Sequence, residues 1–132
     1  MSRRSLAPGV VLSCCASLLG GASCDGALGS TDVFVNVAGG VRIDEPGADL
    51  AVALAIASAA KGVPTKEALA AFGEIGLTGR LRPAAQAERR LEECAKLGLK
   101  TVVAPADTPP TRRKLEVLPA ETLPKAITAG LG

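Results

Sequence analysis

The chain has 132 residues and a formal net charge of +2. This length is enough for one buried core and short for two. Because there are only two Phe and no Trp or Tyr, we expect a core of Ala, Val, Leu and Ile, and we do not expect nucleic acid to bind by stacking on aromatic side chains. The small net charge also argues against binding to nucleic acid or membranes through overall charge, although local basic clusters stay open.

Histidine is absent, which removes Ser-His and Cys-His catalytic pairs and every zinc site that contains His. The four cysteines form no C-x-x-C pair; they are Cys14, Cys15, Cys24 and Cys94. This pattern predicts free thiols in a reducing compartment, without a disulfide or metal framework. We therefore expect a cytoplasmic location.

Residues 1–29 allow two interpretations. Arg3-Arg4, a mostly apolar run over 6–19 and small residues up to Cys24 are typical of a secretory signal with a lipoprotein-type cysteine. Pro8-Gly9 interrupts that run, and Ser13, Cys14, Cys15 and Ser17 weaken its apolar character, which argues against an export signal. Elsewhere no run approaches the ~20 apolar residues that span a bilayer, so no membrane-spanning helix is expected.

The next segment predicts a short strand and a turn. Val33, Val35 and Val37 alternate with other residues, as in a strand with one buried face. Two glycines at 39–40 then allow the chain to reverse, and residues 41–44 are expected to be extended again.

Asp49 to Ala60 is almost entirely Ala, Leu, Val and Ile, which predicts a helix that must be covered nearly all round. Its end is predicted at Lys61-Gly62, followed by Pro64. We expect this helix to be the centre of the fold.

The middle of the chain predicts a hairpin. Thr65 to Leu69 could form one helical turn, and Ala70 to Leu77 reads as a strand. Thr78-Gly79 is then a tight turn, and Arg80 to Arg82 is the return strand.

Pro83 to Lys96 predicts a helix that Gly98 ends. Its predicted buried face comprises Ala84, Ala87, Leu91, Cys94 and Ala95. Its predicted outer face comprises Glu88, Arg89, Arg90, Glu92 and Glu93.

The last part predicts a short buried strand over Lys100 to Ala104 and a Pro-rich basic loop over Ala106 to Lys114. A strand over Leu115 to Leu118 and a helix over Thr122 to Ala129 follow, with Pro124 tolerated in the first turn. Strands that alternate with helices predict an α/β architecture.

Two blocks carry a resemblance to a known family. DVFVNVAGGVRIDEPGADLAVALAIASAA (Asp32 to Ala60) and AFGEIGLTGRLRP (Ala71 to Pro83) resemble the C-terminal domain of RadA (also called Sms), a family of bacterial DNA repair proteins. That domain is similar to the proteolytic domain of Lon, a Ser-Lys peptidase. The resemblance runs from Asp32 to Pro105 and is weaker to Gly132.

The resemblance implies a two-layer α+β form of the α/β class, shared by Lon peptidase domains and the second domain of ribosomal protein S5. It would cover residues 30–132, and residues 1–29 would be a poorly matched segment for which the family favours a helix.

The resemblance also implies that the peptidase chemistry is lost. The Lon nucleophile lies in a G-P-S-A-G motif, and Gly47 takes the place of its serine here. The Lon lysine motif falls on 85–90, where Glu88 and Arg90 stand in the lysine positions. Arginine stays protonated in proteins and cannot serve as a base. We therefore predict a pseudo-peptidase that is not an enzyme, with an active Lon-type Ser-Lys peptidase as the alternative.

Other polar residues give weaker signals. Ser58 falls within the predicted central helix, and Ser30 has no base nearby in the predicted loop. Asp44, Glu45 and Asp49 could suggest a metal site, but an acidic residue at a helix start more often compensates free N–H groups and the helix dipole. We expect that structural role for Asp49, we expect Asp44 and Glu45 to be turn and surface residues, and we expect no metal.

The chain contains no phosphate-binding loop, and in the RadA family the ATPase and a cysteine zinc motif lie upstream of the Lon-like domain. We therefore expect neither ATP nor zinc as a cofactor of this chain, which would be a fragment or truncated form. Basic clusters attract phosphates without reading sequence. The candidates for DNA contact are Arg80, Arg82, Arg89, Arg90, Arg112, Arg113 and Lys114.

The family resemblance implies a non-catalytic role in the recombination and processing of branched DNA. The expected partners are further copies of the chain, in a hexameric ring in the full-length family, and branched or single-stranded DNA, with no membrane. A small exported, lipoprotein-like chain is the remaining alternative.

Overall fold

A computed structural model describes residues 42–132. The predictions for the N-terminal segment 1–29, the strand at 33–37 and the turn at 39–40 lie outside the described residues, as do Ser30 and the first three cysteines. The described elements are a 3-10 turn (Pro46–Ala48), α1 (Asp49–Lys61), β1 (Leu69–Ala71), β2 (Glu74–Ile75), β3 (Leu81–Arg82), α2 (Ala87–Lys96), β4 (Thr101–Pro105), β5 (Glu116–Ala120) and α3 (Leu123–Gly130).

The centre of the described fold is a three-stranded parallel sheet in the order β1-β4-β5. Leu69 pairs with Thr101, which in turn pairs with Glu116. All five residues of β4 are buried, as expected for the middle strand of a parallel sheet that is covered on both faces. β2 and β3 form a separate antiparallel hairpin.

Successive side chains of a strand point to opposite faces of its sheet, and β4 illustrates this. Val103 belongs to the core with α1 and α3, whereas Val102 and Ala104 belong to the core with α2. The α/β class predicted from the sequence is confirmed. Because helices cover both faces of this sheet, the described part has one layer more than the two that were expected.

The predicted central helix is present as α1, and its end is as predicted. Gly62 takes the left-handed conformation with φ of 62°, which costs glycine less than any residue with a Cβ. The Ser58 hydroxyl donates a 2.7 Å hydrogen bond to the Val63 carbonyl, which ties the residues after α1 to its last turn. Burial is less complete than predicted, because only Leu50 and Leu54 of α1 are fully buried.

The predicted strand over 70–77 is divided between two sheets. The Gly73 amide donates to the Gly47 carbonyl at 2.8 Å, and the Gly73 carbonyl accepts from the Leu50 amide at 3.1 Å. These bonds tie the chain to the start of α1, so it leaves the parallel sheet after β1 and enters the hairpin at β2. The turn over Thr78-Gly79 and its return strand are confirmed.

Two local predictions are wrong. Thr65 to Leu69 forms no helical turn, because Ala68 has a positive φ of 52° and Leu69 already begins β1. The helix predicted from Pro83 begins only at Ala87, after Gln86 with φ of 56°. Residues 42–44 belong to no described strand, and the extended conformation expected for 41–44 stays a prediction.

The later elements agree with the sequence. β4 and α3 lie within one residue of their predicted bounds, and β5 runs two residues further than predicted, to Ala120. Among residues 42–132, none of the helices has the length and apolar character that crossing a membrane requires.

Candidate functional site

Gly47 lies in the 3-10 turn that leads into α1, and it is buried. The Glu45 side chain caps this turn, since its Oε1 accepts a 3.2 Å hydrogen bond from the Gly47 amide. Capping by a carboxylate satisfies an amide that has no partner within the helix. The position that would hold the Lon nucleophile is therefore fixed at the start of α1.

Arg90 reaches this turn from α2. Its Nη2 lies 2.9 Å from Glu45 Oε1, and its Nε donates a 2.9 Å hydrogen bond to the Ala85 carbonyl. The guanidinium carbon lies 5.9 Å from the centre of the Phe72 ring, within the range of a cation–π contact. Its side chain is only 28% exposed.

The structure thus brings Gly47 and Arg90 together, and we call Glu45, Gly47, Phe72 and Arg90 the Gly47 cluster. A Cβ built on Gly47 would lie 3.3 Å from Arg90 Nη2 and 2.9 Å from Glu45 Oε1. The space for a nucleophilic side chain is therefore narrowed by an ion pair. Within the cluster there is a cation and a carboxylate but no hydroxyl or thiol to act as a nucleophile.

Two sequence predictions need correction here. Arg90 was placed on the outer face of α2, but it points inward because Glu45 and the Phe72 ring compensate its charge. Glu45 was interpreted as a surface residue of a turn, and its pairing with Arg90 was missed. The only signal in the sequence was the acidic residue two positions before Gly47, which could have been recognised as a cap.

Glu88 does not share the place of Arg90. It is exposed on α2 and lies on the side of the helix that faces the loop before β5. Only one of the two lysine positions inferred from Lon is therefore near Gly47.

The acidic residues of this region serve separate partners. Asp44 pairs with Arg42 at 2.9 Å, and Asp49 Oδ2 accepts a 3.3 Å hydrogen bond from the Ile75 amide. Asp49 lies in the first turn of α1, where its charge is favourable to the helix dipole. Residues 42–132 contain no group of three or more His, Cys, Asp or Glu side chains that could hold a metal ion.

The seven candidate DNA-binding residues do not form one patch. The Arg80 backbone forms an isolated β-bridge with Thr122, just after β5, whereas Arg112 to Lys114 come just before β5. A strand of five residues separates its two ends by about 16 Å. Arg82 lies 3.7 Å from Glu74, Arg90 belongs to the Gly47 cluster, and Arg89 is exposed on α2.

A groove runs between α2 and the loop that precedes β5, and we call it the basic-loop groove. It consists of two cavities of about 240 Å³ each. The first is lined by Glu88, Leu91, Glu92, Pro110, Thr111, Arg112 and Arg113, and the second by Ala95, Lys96, Arg113 and Lys114. Because Arg113 lines both cavities, they are neighbours.

Two titratable groups of α2 have shifted pKa values. A 2.7 Å hydrogen bond from Lys96, which lines the second cavity, lowers the pKa of Glu93. Burial raises the pKa of the Cys94 thiol, so this thiol stays protonated near neutral pH and is a poor nucleophile. Cys94 packs in the core between α2 and the sheet.

Comparison with known proteins gives two findings. A family model described as subunit ChlI of Mg-chelatase matches residues 22–108. The chain is also 37% identical over 107 residues to the DNA repair protein RadA of Listeria monocytogenes, a match that covers 79% of this chain and 23% of the relative.

Two further relatives carry the same name. RadA of Bacillus subtilis is 38% identical over 108 residues, covering 80% of this chain and 24% of the relative. RadA of Streptococcus pyogenes is 51% identical over 78 residues, covering 59% of this chain and 17% of the relative. The chain thus spans about a quarter or less of the length of these relatives.

Proposed function

We propose that this chain, which belongs to the family described as subunit ChlI of Mg-chelatase, is a non-catalytic, Lon-like domain of the RadA type. The proposal is supported by the chain's similarity to the DNA repair protein RadA of Listeria monocytogenes and Bacillus subtilis. In this role it would hold copies of the protein together and contact branched or single-stranded DNA during recombination and repair. The resemblance to RadA predicted from Asp32 to Ala60 and from Ala71 to Pro83 is confirmed by these relatives.

The observation that carries the proposal is the ion pair between Arg90 and Glu45 beside Gly47. A Ser-Lys peptidase needs a hydroxyl and a neutral amine within hydrogen-bond reach of each other. Here the first position has no side chain, and the second holds a guanidinium that stays protonated and already has a carboxylate partner. The cluster therefore supports a packing role in place of a proton transfer.

The contribution to DNA binding is proposed from charge. Arg112, Arg113 and Lys114 are exposed and adjacent in the chain, and phosphates attract such groups through Coulomb interaction and counterion release. The energy of ATP hydrolysis would come from another domain of the RadA relatives, so we propose that this chain binds neither ATP nor zinc. A cytoplasmic location and a homo-oligomer, as a ring in the longer protein, belong to the same proposal, as do the bounds 30–132.

The absence of peptidase and ATPase activity can be tested directly. We expect the purified chain to release no peptides from labelled casein and no phosphate from ATP, with and without DNA. An active Lon-type peptidase and an ATPase serve as positive controls in the same assays. Clear turnover of casein would establish the alternative of an active peptidase.

The scaffold role calls for a different measurement. Size-exclusion chromatography with light scattering should give a mass of more than one copy, and branched DNA should co-elute with the protein at low salt. Co-elution should decline as salt rises, because each phosphate contact releases counterions. A monomer that elutes apart from DNA at every salt concentration would contradict the proposal.

A further inference from the structure

The two walls of the basic-loop groove carry opposite charges in its first cavity. Arg112, Arg113 and Lys114 form the loop wall, and Glu88 and Glu92 lie on the α2 wall of that cavity. In the second cavity α2 contributes Lys96, which is paired with Glu93. Within residues 42–132, neither the three cations of the loop nor Glu88 and Glu92 form an ion pair with another residue. Among the described residues, no carboxylate pairs with the cations of the loop, so they are available to a ligand. Arg82 and Arg90 differ from them, because each already has a carboxylate partner.

The loop holds these cations in a defined shape. The Arg113 amide donates a 3.2 Å hydrogen bond to Thr111 Oγ1, and the Leu115 amide donates a 2.8 Å bond to the Arg113 carbonyl. Pro109 and Pro110 come just before this turn, and each fixes its own φ near −65°. A backbone that is already ordered loses less entropy when a ligand binds.

We propose that the basic-loop groove binds the sugar-phosphate backbone of a single nucleic-acid strand, with its phosphates on the Arg112, Arg113 and Lys114 wall. This inference rests on the DNA contact of the proposed function and gives that contact a site. The backbone would run along the loop and keep away from Glu88 and Glu92, because carboxylates repel phosphates.

The size of the groove favours a single strand. Two neighbouring cavities of about 240 Å³ have room for about one sugar-phosphate unit each, and we expect a flexible single strand to follow them more closely than a stiff duplex can. No aromatic side chain lines either cavity, so bases are not held by stacking. Binding should therefore show little preference for sequence.

The two walls give the proposal a two-sided test. Removing the cations of the loop should weaken binding, and neutralising the carboxylates of α2 should strengthen it. A ligand that carries both charges, such as a segment of another protein, would need both walls, so both changes would weaken its binding.

The experiment uses the full 132-residue chain and a fluorescein-labelled oligothymidylate, with fluorescence anisotropy over a salt series. The variant R112A/R113A/K114A should bind about ten-fold more weakly at low salt, and the negative slope of log K against log salt should become shallower by about 2. The variant E88Q/E92Q should bind about two-fold more tightly, and the effect should fade as salt screens the charges.

The matched control removes the same charge elsewhere. K61A/K66A/K125A also lowers the net charge by three, from exposed positions at the end of α1, before β1 and on α3, and its affinity should stay within about two-fold of the wild type. Circular dichroism confirms that each variant folds. An unlabelled duplex of equal length should compete much less well than an unlabelled single strand.

The outcomes separate the site from the function. Equal losses in the two triple variants would mean that binding follows net charge, which overturns the groove as the site while DNA contact stands. Weaker binding by E88Q/E92Q, or a duplex that competes as well as a single strand, would overturn the proposed ligand. If the wild type binds no DNA even at low salt, the DNA contact of the proposed function fails as well.

Discussion

The two sides of α2 use charge in opposite ways. On its inner side Arg90 meets a carboxylate, a carbonyl and an aromatic ring, so the Gly47 cluster has little left to offer a ligand. On its outer side the basic-loop groove presents cations and carboxylates that face each other without pairing. We infer that the paired charge of Arg90 contributes to stability, whereas the unpaired cations of the groove can bind a ligand.

This contrast gives the Gly47 cluster a role of its own. The turn at Gly47 begins α1, receives the Arg90 side chain from α2, and is tied to Gly73 by a backbone hydrogen bond. The pair that meets there is Glu45 and Arg90, and the guanidinium stays protonated. We infer that the cluster contributes to stability, and the predictions below test the difference between the two sides of α2.

The largest effect is expected from R90A. This change leaves Glu45 and the Ala85 carbonyl without their charged donor, and it removes the contact with Phe72. Because the pair is only partly exposed, we expect the free energy of unfolding to fall by about 2 kcal/mol. Urea denaturation monitored by circular dichroism measures this.

The neighbouring R89A is the matched control for that prediction. Arg89 has the same charge and the next position in the same helix, but it is exposed and makes no ion pair with a described residue. Its loss should change the unfolding free energy by less than about 0.5 kcal/mol. Equal losses for the two variants would remove the distinction between the two sides of α2.

The sequence predicted the framework of this arrangement better than its contacts. α1, β4 and α3 were predicted because a long apolar run, a short β-branched run and a Thr-x-Pro start each carry a local signal. The end of α1 at Gly62 was predictable for the same reason. These features depend on a few neighbouring residues.

What the sequence could not show depends on residues far apart in the chain. The break at Gly73 follows from its bonds to Gly47 and Leu50, and periodicity contains no information about such partners. Arg90 is an equally clear case, since its spacing resembled that of its exposed neighbours. The separation of Arg80 from Arg112 across β5 also required the strand pairing.

A second test fills the space beside Gly47. In G47A the new methyl group would lie 3.1 Å from Ala84 Cβ and 3.3 Å from Arg90 Nη2, closer than most carbon contacts. We expect a loss of about 1 kcal/mol in the free energy of unfolding, because the neighbours must shift. Denaturation in urea again gives the value.

A double-mutant cycle shows whether Arg90 causes that loss. If the guanidinium occupies the space, G47A should cost less in the R90A background than in the wild type, and the two changes should not be additive. Strict additivity would indicate that Gly47 and Arg90 do not meet. Neither variant is expected to cleave casein.

The smallest effect is expected at the second cavity of the groove, where Lys96 forms an exposed pair with Glu93. The hydrogen bond from Lys96 holds the pKa of Glu93 below its ordinary value, so the folded state prefers the ionised carboxylate. That contribution is fully present above the pKa of the unfolded chain, about 4.3, and it is lost as pH falls through the lower pKa of the folded protein. E93Q should therefore be slightly less stable than the wild type near neutral pH, and the difference should vanish in acid and in concentrated salt. Thermal unfolding across a pH series measures this difference, and in a K96Q background E93Q should change the stability little. A loss at neutral pH as large as that of R90A would show that the exposed Lys96–Glu93 pair and the partly buried Arg90–Glu45 pair stabilise this fold equally.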